Sequence, residues 1–260
     1  MTPIGRNVTL SPAQVLGVPI THRDLGSAVA GIEAFVSAGG GGYVCLAPVH
    51  MIMEALDDPS FFDILDRAEA VVPDGMPLAW SLRADGYREA ERIAGMDLTG
   101  AMLDLAQEQG LSVGFYGGQP EVLDGLLGVV RSRWPGARIC YAHSPPFRPL
   151  SESEAKEQID QINNSGVQIL FVGLGCPKQE RWMAANRSKT PAVMLGVGAV
   201  FDVLSGVKPQ APILLRRAGL EWLFRLVLEP RRLFWRYARH NPRFVWKSIT
   251  VRLGRRFSRS

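Results

Sequence analysis

Short apolar runs that end at a glycine or an aspartate alternate along this chain with amphipathic stretches of helical period. The apolar runs predict buried strands at residues 43–47, 71–73, 111–116, 137–141, 168–172 and 192–197. The stretches between them predict helices at residues 24–37, 49–56 and 60–68, and helices that begin near Pro77, Pro120 and Pro177. One further helix, which Asp97 or Thr99 can cap, is predicted to end near Gln109. Residues 1–20 show little pattern. Strands that alternate with helices predict an α/β protein with a parallel sheet.

Glycine turns follow three of the predicted strands. They are Gly117-Gly118, Gly173-Leu174-Gly175 and the turn at Gly198. Because ligands of parallel sheets bind at the carboxyl ends of the strands, and because helix N-termini attract anions, these turns favour a nucleotide-type ligand. No G-x-G-x-x-G run and no Walker lysine motif follows a strand, which argues against NAD(P) and ATP.

Asp74 lies where a predicted strand meets a predicted helix, in the run Val71-Val72-Pro73-Asp74-Gly75-Met76-Pro77. The positive end of the helix dipole favours negative charge at this position, so we expect an ionised carboxylate at neutral pH. An ionised carboxylate on a loop hinged at Gly75 suits a general base. The alternative is that Asp74 only caps the helix that follows.

The composition limits the domain organisation and the kinds of metal, cofactor and membrane site that we expect. The 260 residues are 47% hydrophobic, which suits one large globular domain or a domain with an appendage. The cysteines are three in number and do not have the spacing of metal ligands: Cys45, Cys140 and Cys176. We therefore expect a reducing compartment and no zinc site. No D-x-D pair is present, so we expect no metal and no cofactor. We also find no signal-peptide pattern and no apolar run of the roughly 18 residues that a membrane span needs.

The net charge of +4 divides unevenly along the chain. Residues 207–260 hold 14 Lys and Arg against 2 Asp and Glu, a net +12, whereas residues 1–206 carry −8. We therefore predict a core at 1–206 and a basic helical appendage at 207–260, broken at Glu229-Pro230. Basic residues interleaved with Trp and Phe are typical of a helix on an anionic membrane. An ordinary core helix with a solvated basic face is the alternative, and no nucleic-acid-binding fold supports a nucleic-acid partner.

Several sequence blocks resemble one family of enzymes. They are Pro73-Asp74-Gly75, Arg92-x-x-Gly95-x-Asp97, Gly117-Gly118, Pro177-Lys178-Gln179-Glu180-x-Trp182, Gly196-Val197-Gly198-Ala199-x-Phe201-Asp202 and Gly219-Leu220-Glu221-Trp222-Leu223-x-Arg225-Leu226-x-x-Glu229-Pro230-x-Arg232. In this order they are similar to the WecG/TagA/CpsF glycosyltransferases (glycosyltransferase family 26). The resemblance covers residues 43–240. Pro48 and Gln210 depart from it, since many members have Asn and Arg there.

The resemblance implies a Rossmann-like domain with a helical C-terminal appendage, on the inner face of a bacterial membrane. It implies metal-independent, inverting transfer of a sugar such as N-acetylmannosamine or glucose from a UDP-sugar to a polyprenyl-diphosphate-linked saccharide in cell-surface or exopolysaccharide biosynthesis. By matching motifs, Asp74 is the base. The donor-site residues implied are Arg92, Gly117, Gly118, Gly173, Gly175, Gln179, Glu180 and Asp202, and the acceptor or membrane residues are Arg225, Arg231, Arg232 and Arg236. A sugar-nucleotide oxidoreductase or epimerase, and a non-catalytic membrane scaffold, are the alternatives.

Overall fold

The computed structural model describes residues 13–257, which form a six-stranded parallel sheet between two layers of helices. The sheet strands are β3 (Gly42–Ala47), β4 (Ala70–Pro73), β5 (Ser112–Gly117), β6 (Arg138–His143), β7 (Ile169–Gly173) and β8 (Val193–Gly196). Each predicted strand is confirmed to within two residues at either end. The two strands that precede them, β1 (Ala13–Val15) and β2 (Val18–Ile20), form an antiparallel hairpin closed by Leu16-Gly17.

Twelve helices connect and follow the strands in the described part of the chain. They are α1 (Leu25–Ala38), α2 (Val49–Asp57), α3 (Pro59–Asp66), α4 (Met76–Ala84), α5 (Gly95–Gln109), α6 (Pro120–Arg133), α7 (Glu152–Asn164), α8 (Lys178–Asn186), α9 (Val200–Leu204), α10 (Ile213–Arg217), α11 (Glu221–Leu228) and α12 (Pro230–Phe257). The predicted start of α5 at Asp97 or Thr99 is wrong, because Ala94 is the N-cap and Thr99 is buried within the helix.

Five of the six strands are buried on both faces, which explains why they are continuous apolar runs rather than alternating ones, whereas the edge strand β6 is partly exposed. In β4, Val71 packs beneath α2, α3 and α4, whereas Val72 faces the opposite layer with α1 and α5. In that second layer the rings of Phe115 and Phe171 stack with their centroids 5.3 Å apart. The strand order is β4-β3-β8-β7-β5-β6, and the five neighbouring pairs are all parallel. All the strands therefore end at one edge, the C-terminal edge of the sheet.

At β8 the connection that follows the strand changes to the other face of the sheet. It leads into α9 in the second layer, whereas its neighbours β3 and β7 lead into α2 and α8 in the first. At such a reversal the connections diverge and leave a crevice, the usual binding place in an open α/β sheet. The crevice beside the end of β8 is therefore the place at this edge where we expect a ligand to bind.

The three C-terminal helices close over the first layer. The predicted break at Glu229-Pro230 is confirmed, since α11 ends at Leu228 and α12 begins at Pro230. Helix α12 packs on α2, and its Leu233 and Phe244 are buried. Within residues 13–257, no helix combines the length and apolar character needed to cross a membrane.

Candidate active site

Asp74 is the first residue after β4, at the C-terminal edge of the sheet. Its backbone N–H donates a 3.0 Å hydrogen bond to the carbonyl oxygen of Ala47, the last residue of β3. The N-cap of α4 is Gly75, with φ 148° and ψ 142°, a conformation that L side chains rarely adopt. The interpretation of Asp74 as an N-cap is therefore wrong, and its carboxylate is not committed to the helix that follows.

Burial raises the pKa of the Asp74 carboxyl above its ordinary value. Arg225 and Arg92 oppose that shift, while Glu221 and Asp97 add to it. The dipole argument from the sequence expects the pKa of Asp74 to be lowered, because it leaves out the desolvation caused by burial. A raised pKa makes this carboxylate a stronger base than an exposed aspartate, provided that it is ionised.

Glu221, at the start of α11, joins two arginines that come from different parts of the fold. Arg92 Nη2 lies 2.5 Å from Glu221 Oε2, and Arg225 Nε lies 3.9 Å from Glu221 Oε1. Because Glu221 and Arg225 both belong to α11, it is the Arg92–Glu221 pair that holds this helix to the core beside Asp74. The structure therefore brings Asp74, Arg92 and Arg225 together, with the two arginines partly neutralised by one carboxylate.

Two of the four predicted donor-site glycines, Gly117 and Gly173, are required by close packing. A Cβ on Gly117 would lie 2.6 Å from the carbonyl oxygen of Gly173, and a Cβ on Gly173 would lie 2.6 Å from the ring of Phe201. Gly118 donates its N–H to the same Gly173 oxygen at 3.2 Å. Only at Gly175, of these four, would a Cβ meet open space, so the Gly175 turn is the part of this region that is accessible to a ligand.

Gln179 and Glu180 form a buried chain of hydrogen bonds beneath this turn. Gln179 accepts a hydrogen bond from the Gly175 N–H at 3.1 Å and donates one to Glu180 Oε1 at 2.7 Å. Gln179 also lies over the end of β8, since a Cβ on Gly196 would be 2.9 Å from its Nε2 atom. Glu180 is fully buried, so here it acts on the crevice through Gln179.

Replacing Glu180 with glutamine is expected to stabilise the protein increasingly as the pH rises from 5 to 8. Burial raises the pKa of Glu180 to about 7. The folded state therefore favours the protonated carboxyl, and that stability is present below the unfolded pKa and lost as the pH rises through 7. The shift corresponds to roughly 3 kcal/mol. Thermal unfolding of Glu180→Gln and of the original chain across this range measures it, and a difference that does not change with pH contradicts the assignment.

Asp202, the last predicted donor-site residue, is held by an ion pair. Its Oδ2 atom lies 2.6 Å from Lys208 Nζ, which lies 3.0 Å from Glu229 Oε1. Glu229 in turn pairs with Arg232. This chain of charges links α9 to the C-terminal helices.

The four predicted acceptor arginines have different environments. Arg231 and Arg232 are exposed on α12, and Arg232 is paired with Glu229. Arg225 lowers the pKa of the Asp74 carboxyl, whereas Arg236 is a half-buried residue of α12, and burial lowers the pKa of its guanidinium. Arg225 and Arg236 are therefore the two that point toward the interior of the site.

His50 is a residue of this region that sequence reasoning missed. It is the second residue of α2, and burial together with Arg236 lowers its pKa to about 3. Its proximity to arginines more than 170 positions later is a consequence of α12 packing on α2, which no local pattern indicates. Within residues 13–257, no cluster of three His, Cys, Asp or Glu side chains is arranged to hold a metal ion.

Comparison of the sequence with known proteins assigns the chain to a family. The model of the glycosyl transferase WecG/TagA/CpsF family matches residues 13–258. The chain belongs to this family. The match extends through α10, α11 and α12, so the helices that carry Arg225 and Arg236 are part of the family pattern.

Two curated relatives of this chain have the same name. The chain is 31% identical over 224 residues to an N-acetylglucosaminyldiphosphoundecaprenol N-acetyl-beta-D-mannosaminyltransferase of Bacillus spizizenii (strain ATCC 23059 / NRRL B-14472 / W23). It is 29% identical over 224 residues to the protein of that name in Bacillus subtilis (strain 168). Each alignment covers 85% of this chain and 84% of the relative.

Proposed function

We propose that this glycosyltransferase moves a hexose or N-acetylhexosamine from a UDP-sugar to a polyprenyl-diphosphate-linked saccharide, with inversion at the anomeric carbon. The observation that carries the proposal is the position of Asp74. It lies at the C-terminal edge of the sheet, near Arg92 from the core and Arg225 from the C-terminal helices. The names of the two Bacillus relatives support the lipid-linked acceptor and make N-acetylmannosamine the first sugar to test.

Asp74 acts in this proposal as the general base. A sugar hydroxyl has a pKa far above 7 and attacks an anomeric carbon poorly unless its proton is removed as the new bond forms. The Asp74 carboxylate takes that proton, the acceptor oxygen bonds to the anomeric carbon, and the bond to the UDP oxygen breaks with its electron pair. A single displacement of this kind inverts the configuration. General-base catalysis of this type contributes roughly 10²–10⁴ in rate.

The departing UDP needs its negative charge stabilised. Arg92 supplies a guanidinium beside Asp74, and the open Gly175 turn leads toward the start of α8, where backbone N–H groups favour anions. Glu221 holds Arg92 at 2.5 Å, which keeps the guanidinium oriented before a substrate binds. The hydrogen bonds from Gly175 to Gln179 and from Gln179 to Glu180 keep the turn in shape.

The acceptor reaches this site from the membrane surface in our proposal. The exposed arginines of α12 attract an anionic bilayer, and exposed apolar side chains of α11 and α12 insert into it. The protein would thus be peripheral on the cytoplasmic face of the membrane, where it would meet a lipid-linked substrate.

Release of UDP tests the proposal. The full chain is incubated with a panel of UDP-sugars and a short-chain prenyl-diphosphate-linked N-acetylglucosamine, and free UDP is measured. We expect UDP release that requires both substrates for at least one donor. A scaffold or an oxidoreductase releases none, so the absence of acceptor-dependent UDP across the panel would reject the transferase.

Transfer is expected to survive chelation of divalent metals. The chain has no D-x-D pair, and arginines with helix N-termini supply positive charge to the leaving group. The rate of UDP release with and without excess EDTA is the measurement, and we expect the two rates to agree within about twofold. Loss of activity in EDTA, restored by Mg²⁺ or Mn²⁺, would show that a metal ion takes part.

A further inference from the structure

Lys208 joins two carboxylates that come from different parts of the fold. Its Nζ atom lies 2.6 Å from Oδ2 of Asp202, a residue of α9, and 3.0 Å from Oε1 of Glu229, the C-cap of α11. The three side chains are 35%, 29% and 25% exposed, so water screens these two ion pairs only in part. A cation that is shared in this way restrains both carboxylates at once.

The backbone brings Lys208 back to Asp202. Beyond α9 the chain turns at Gly206, whose φ is 81°, and the Lys208 N–H donates a 2.8 Å hydrogen bond to the carbonyl oxygen of Asp202. The Ser205 hydroxyl donates to the same oxygen at 3.1 Å. Asp202 and Lys208 are thus joined through the backbone as well as through their side chains. The ion pair is therefore built by the local fold and is not a chance meeting of two flexible side chains.

Asp202 is itself fixed at the crevice beside the end of β8. It is the third residue of α9, and its neighbour Phe201 is buried against Gly173 at the end of β7. Among the residues that the structure describes, Lys208 alone bonds to the Asp202 carboxylate. An ionised carboxylate accepts about four hydrogen bonds through its two oxygens, so most of this capacity is unused. Asp202 is therefore a held but unsaturated acceptor at the crevice.

Glu229 holds the ammonium group of Lys208 at its second contact. The Glu229 N–H donates to the carbonyl oxygen of Arg225 at 3.0 Å, and its carboxylate also pairs with Arg232. The two carboxylates and two cations of this chain sum to zero charge. Moving the ammonium group away would leave a partly shielded carboxylate without its partner, so the arrangement keeps Lys208 beside Asp202.

We propose that Lys208 is a positioning residue of the donor site, which holds the Asp202 carboxylate ready to accept hydrogen bonds from hydroxyl groups of a sugar ring. The inference rests on the proposed function, because it takes the ligand to be a UDP-sugar. Lys208 acts through Asp202 and makes no contact with the substrate. Restraint of a carboxylate before the ligand arrives lowers the entropy cost of binding, and hydrogen bonds to a charged acceptor are strong. A UDP-sugar carries suitable hydroxyl groups on its ribose and on the sugar that is transferred.

Two substitutions of Lys208 separate the role of its charge from that of its length. Lys208→Met keeps an unbranched side chain and removes the ammonium group, whereas Lys208→Arg keeps a cation with donors for both carboxylates. Binding of UDP and of UDP-N-acetylmannosamine to the full chain is measured by titration calorimetry without an acceptor. We expect Lys208→Met to weaken binding of the UDP-sugar roughly tenfold, and Lys208→Arg to stay within about threefold of the original chain.

A double-mutant cycle shows whether Lys208 acts through Asp202. Asp202→Asn keeps the shape of the side chain and removes its charge, and it should weaken binding of the UDP-sugar by itself. Adding Lys208→Met to Asp202→Asn should then cause a further loss of less than about twofold, because no carboxylate is left to position. A lysine that contacts the substrate directly would give two independent losses, whose fold-changes multiply. Multiplied losses would therefore overturn the positioning role.

Lys156→Met is the matched control. Lys156 also pairs with an aspartate at 2.6 Å, and both it and its partner Asp160 are exposed residues of α7. We expect this variant to bind both ligands as the original chain does. A loss equal to that in Lys208→Met would show that the affinity responds to net charge alone, and would overturn the assignment.

Glu229→Gln gives an independent measurement if Lys208→Met does not fold. It frees the ammonium group at its second contact and leaves the pair with Asp202 in place, so we expect a smaller loss of affinity for the UDP-sugar, about threefold. Thermal unfolding of the same proteins separates binding from stability. A lower melting temperature with unchanged affinity for the UDP-sugar would show that these charges only support the fold, and would overturn the proposal.

The two ligands identify which hydroxyl groups Asp202 binds. A loss for UDP-N-acetylmannosamine alone assigns them to the transferred sugar, and an equal loss for UDP assigns them to the ribose. Unchanged affinity for both ligands in Lys208→Met, or a loss in Lys208→Arg as large as that in Lys208→Met, overturns the proposal. Because binding is measured without turnover, a chain that binds the donor with the expected pattern but releases no UDP when acceptor is added would reject the proposed function and leave this inference standing.

Discussion

Asp74→Asn is expected to lower the rate of sugar transfer at least ~10²-fold while leaving UDP binding unchanged. The amide has nearly the same shape as the carboxylate but cannot accept the proton of the acceptor hydroxyl. Asp74 does not cap α4, so the substitution removes no helix-stabilising hydrogen bond. Single-turnover rates and UDP affinity of the purified variant measure the two effects separately.

Asp160→Asn is the control for this substitution, because Asp160 is an exposed residue of α7 paired only with Lys156 among the described residues. It should transfer at the original rate. Retention of a tenth or more of the original turnover by Asp74→Asn would reject the base assignment. The pH profile gives a second measurement. As the pH is lowered, kcat/KM should begin to fall at a higher pH than it would with an ordinary aspartate, because the pKa of Asp74 is raised.

Substituting the outward face of α12 is expected to release the protein from anionic vesicles. Trp235 and Trp246 are 75% and 70% exposed and lie eleven residues apart, about three helical turns, so they share one face. Ile249 and Leu253 continue that face toward the end of the helix. Trp235→Ser combined with Trp246→Ser should weaken co-sedimentation tenfold or more, because each buried aromatic side chain contributes roughly 2 kcal/mol.

Salt separates the two parts of this attraction. Each basic residue near an anionic surface contributes ~1 kcal/mol, and the Debye length falls from ~10 Å at 0.1 M salt to ~3 Å at 1 M. Binding by the original chain should therefore weaken with salt but persist, whereas the double Trp variant should lose binding entirely at high salt. Arg239→Glu on α12 should weaken binding at low salt, and Lys156→Glu on α7 is its charge-matched control. Equal binding by all four proteins would contradict membrane association through α12.

The expectation that the Trp and Phe residues of the basic appendage lie on a membrane is wrong for Phe244, because Phe244 is buried with Leu233 on the opposite face of α12. Basic and aromatic residues alone indicate an interfacial helix but do not say which aromatic side chains face outward. Removal of residues 207–260 would therefore also expose part of the core. The separation of a core at 1–206 from an appendage at 207–260 stays a prediction, and residues 1–12 and 258–260 of it lie outside the described residues.

The sheet could be predicted because each strand is an apolar run that ends at a recognisable turn. The hairpin of β1 and β2 could not, since its strands have three residues each and its turn places Leu16, a non-glycine, at φ 52°. Helix α12 continues through Pro242, a residue that a local reading takes as a helix end. In each case packing against the core overrides the local signal.

The site was predictable as a set of residues but not as an arrangement. Motifs indicated Asp74, Arg92 and Arg225, and the structure brings these three together. Motifs also indicated Glu180, which is buried and acts through Gln179, and they gave no reason to select His50. Both differences arise from long-range packing, of α8 beneath the Gly175 turn and of α12 on α2.

The central claim is tested most directly by the mass of the lipid-linked acceptor after reaction. The full chain is incubated with UDP-N-acetylmannosamine and a short-chain prenyl-diphosphate-linked N-acetylglucosamine, beside Asp74→Asn under the same conditions. We predict that the acceptor gains one N-acetylhexosamine unit with the original chain, in step with UDP release, and gains none detectably with Asp74→Asn. An acceptor of unchanged mass with every UDP-hexose and UDP-N-acetylhexosamine tried, or an equal gain with both proteins, would contradict the account.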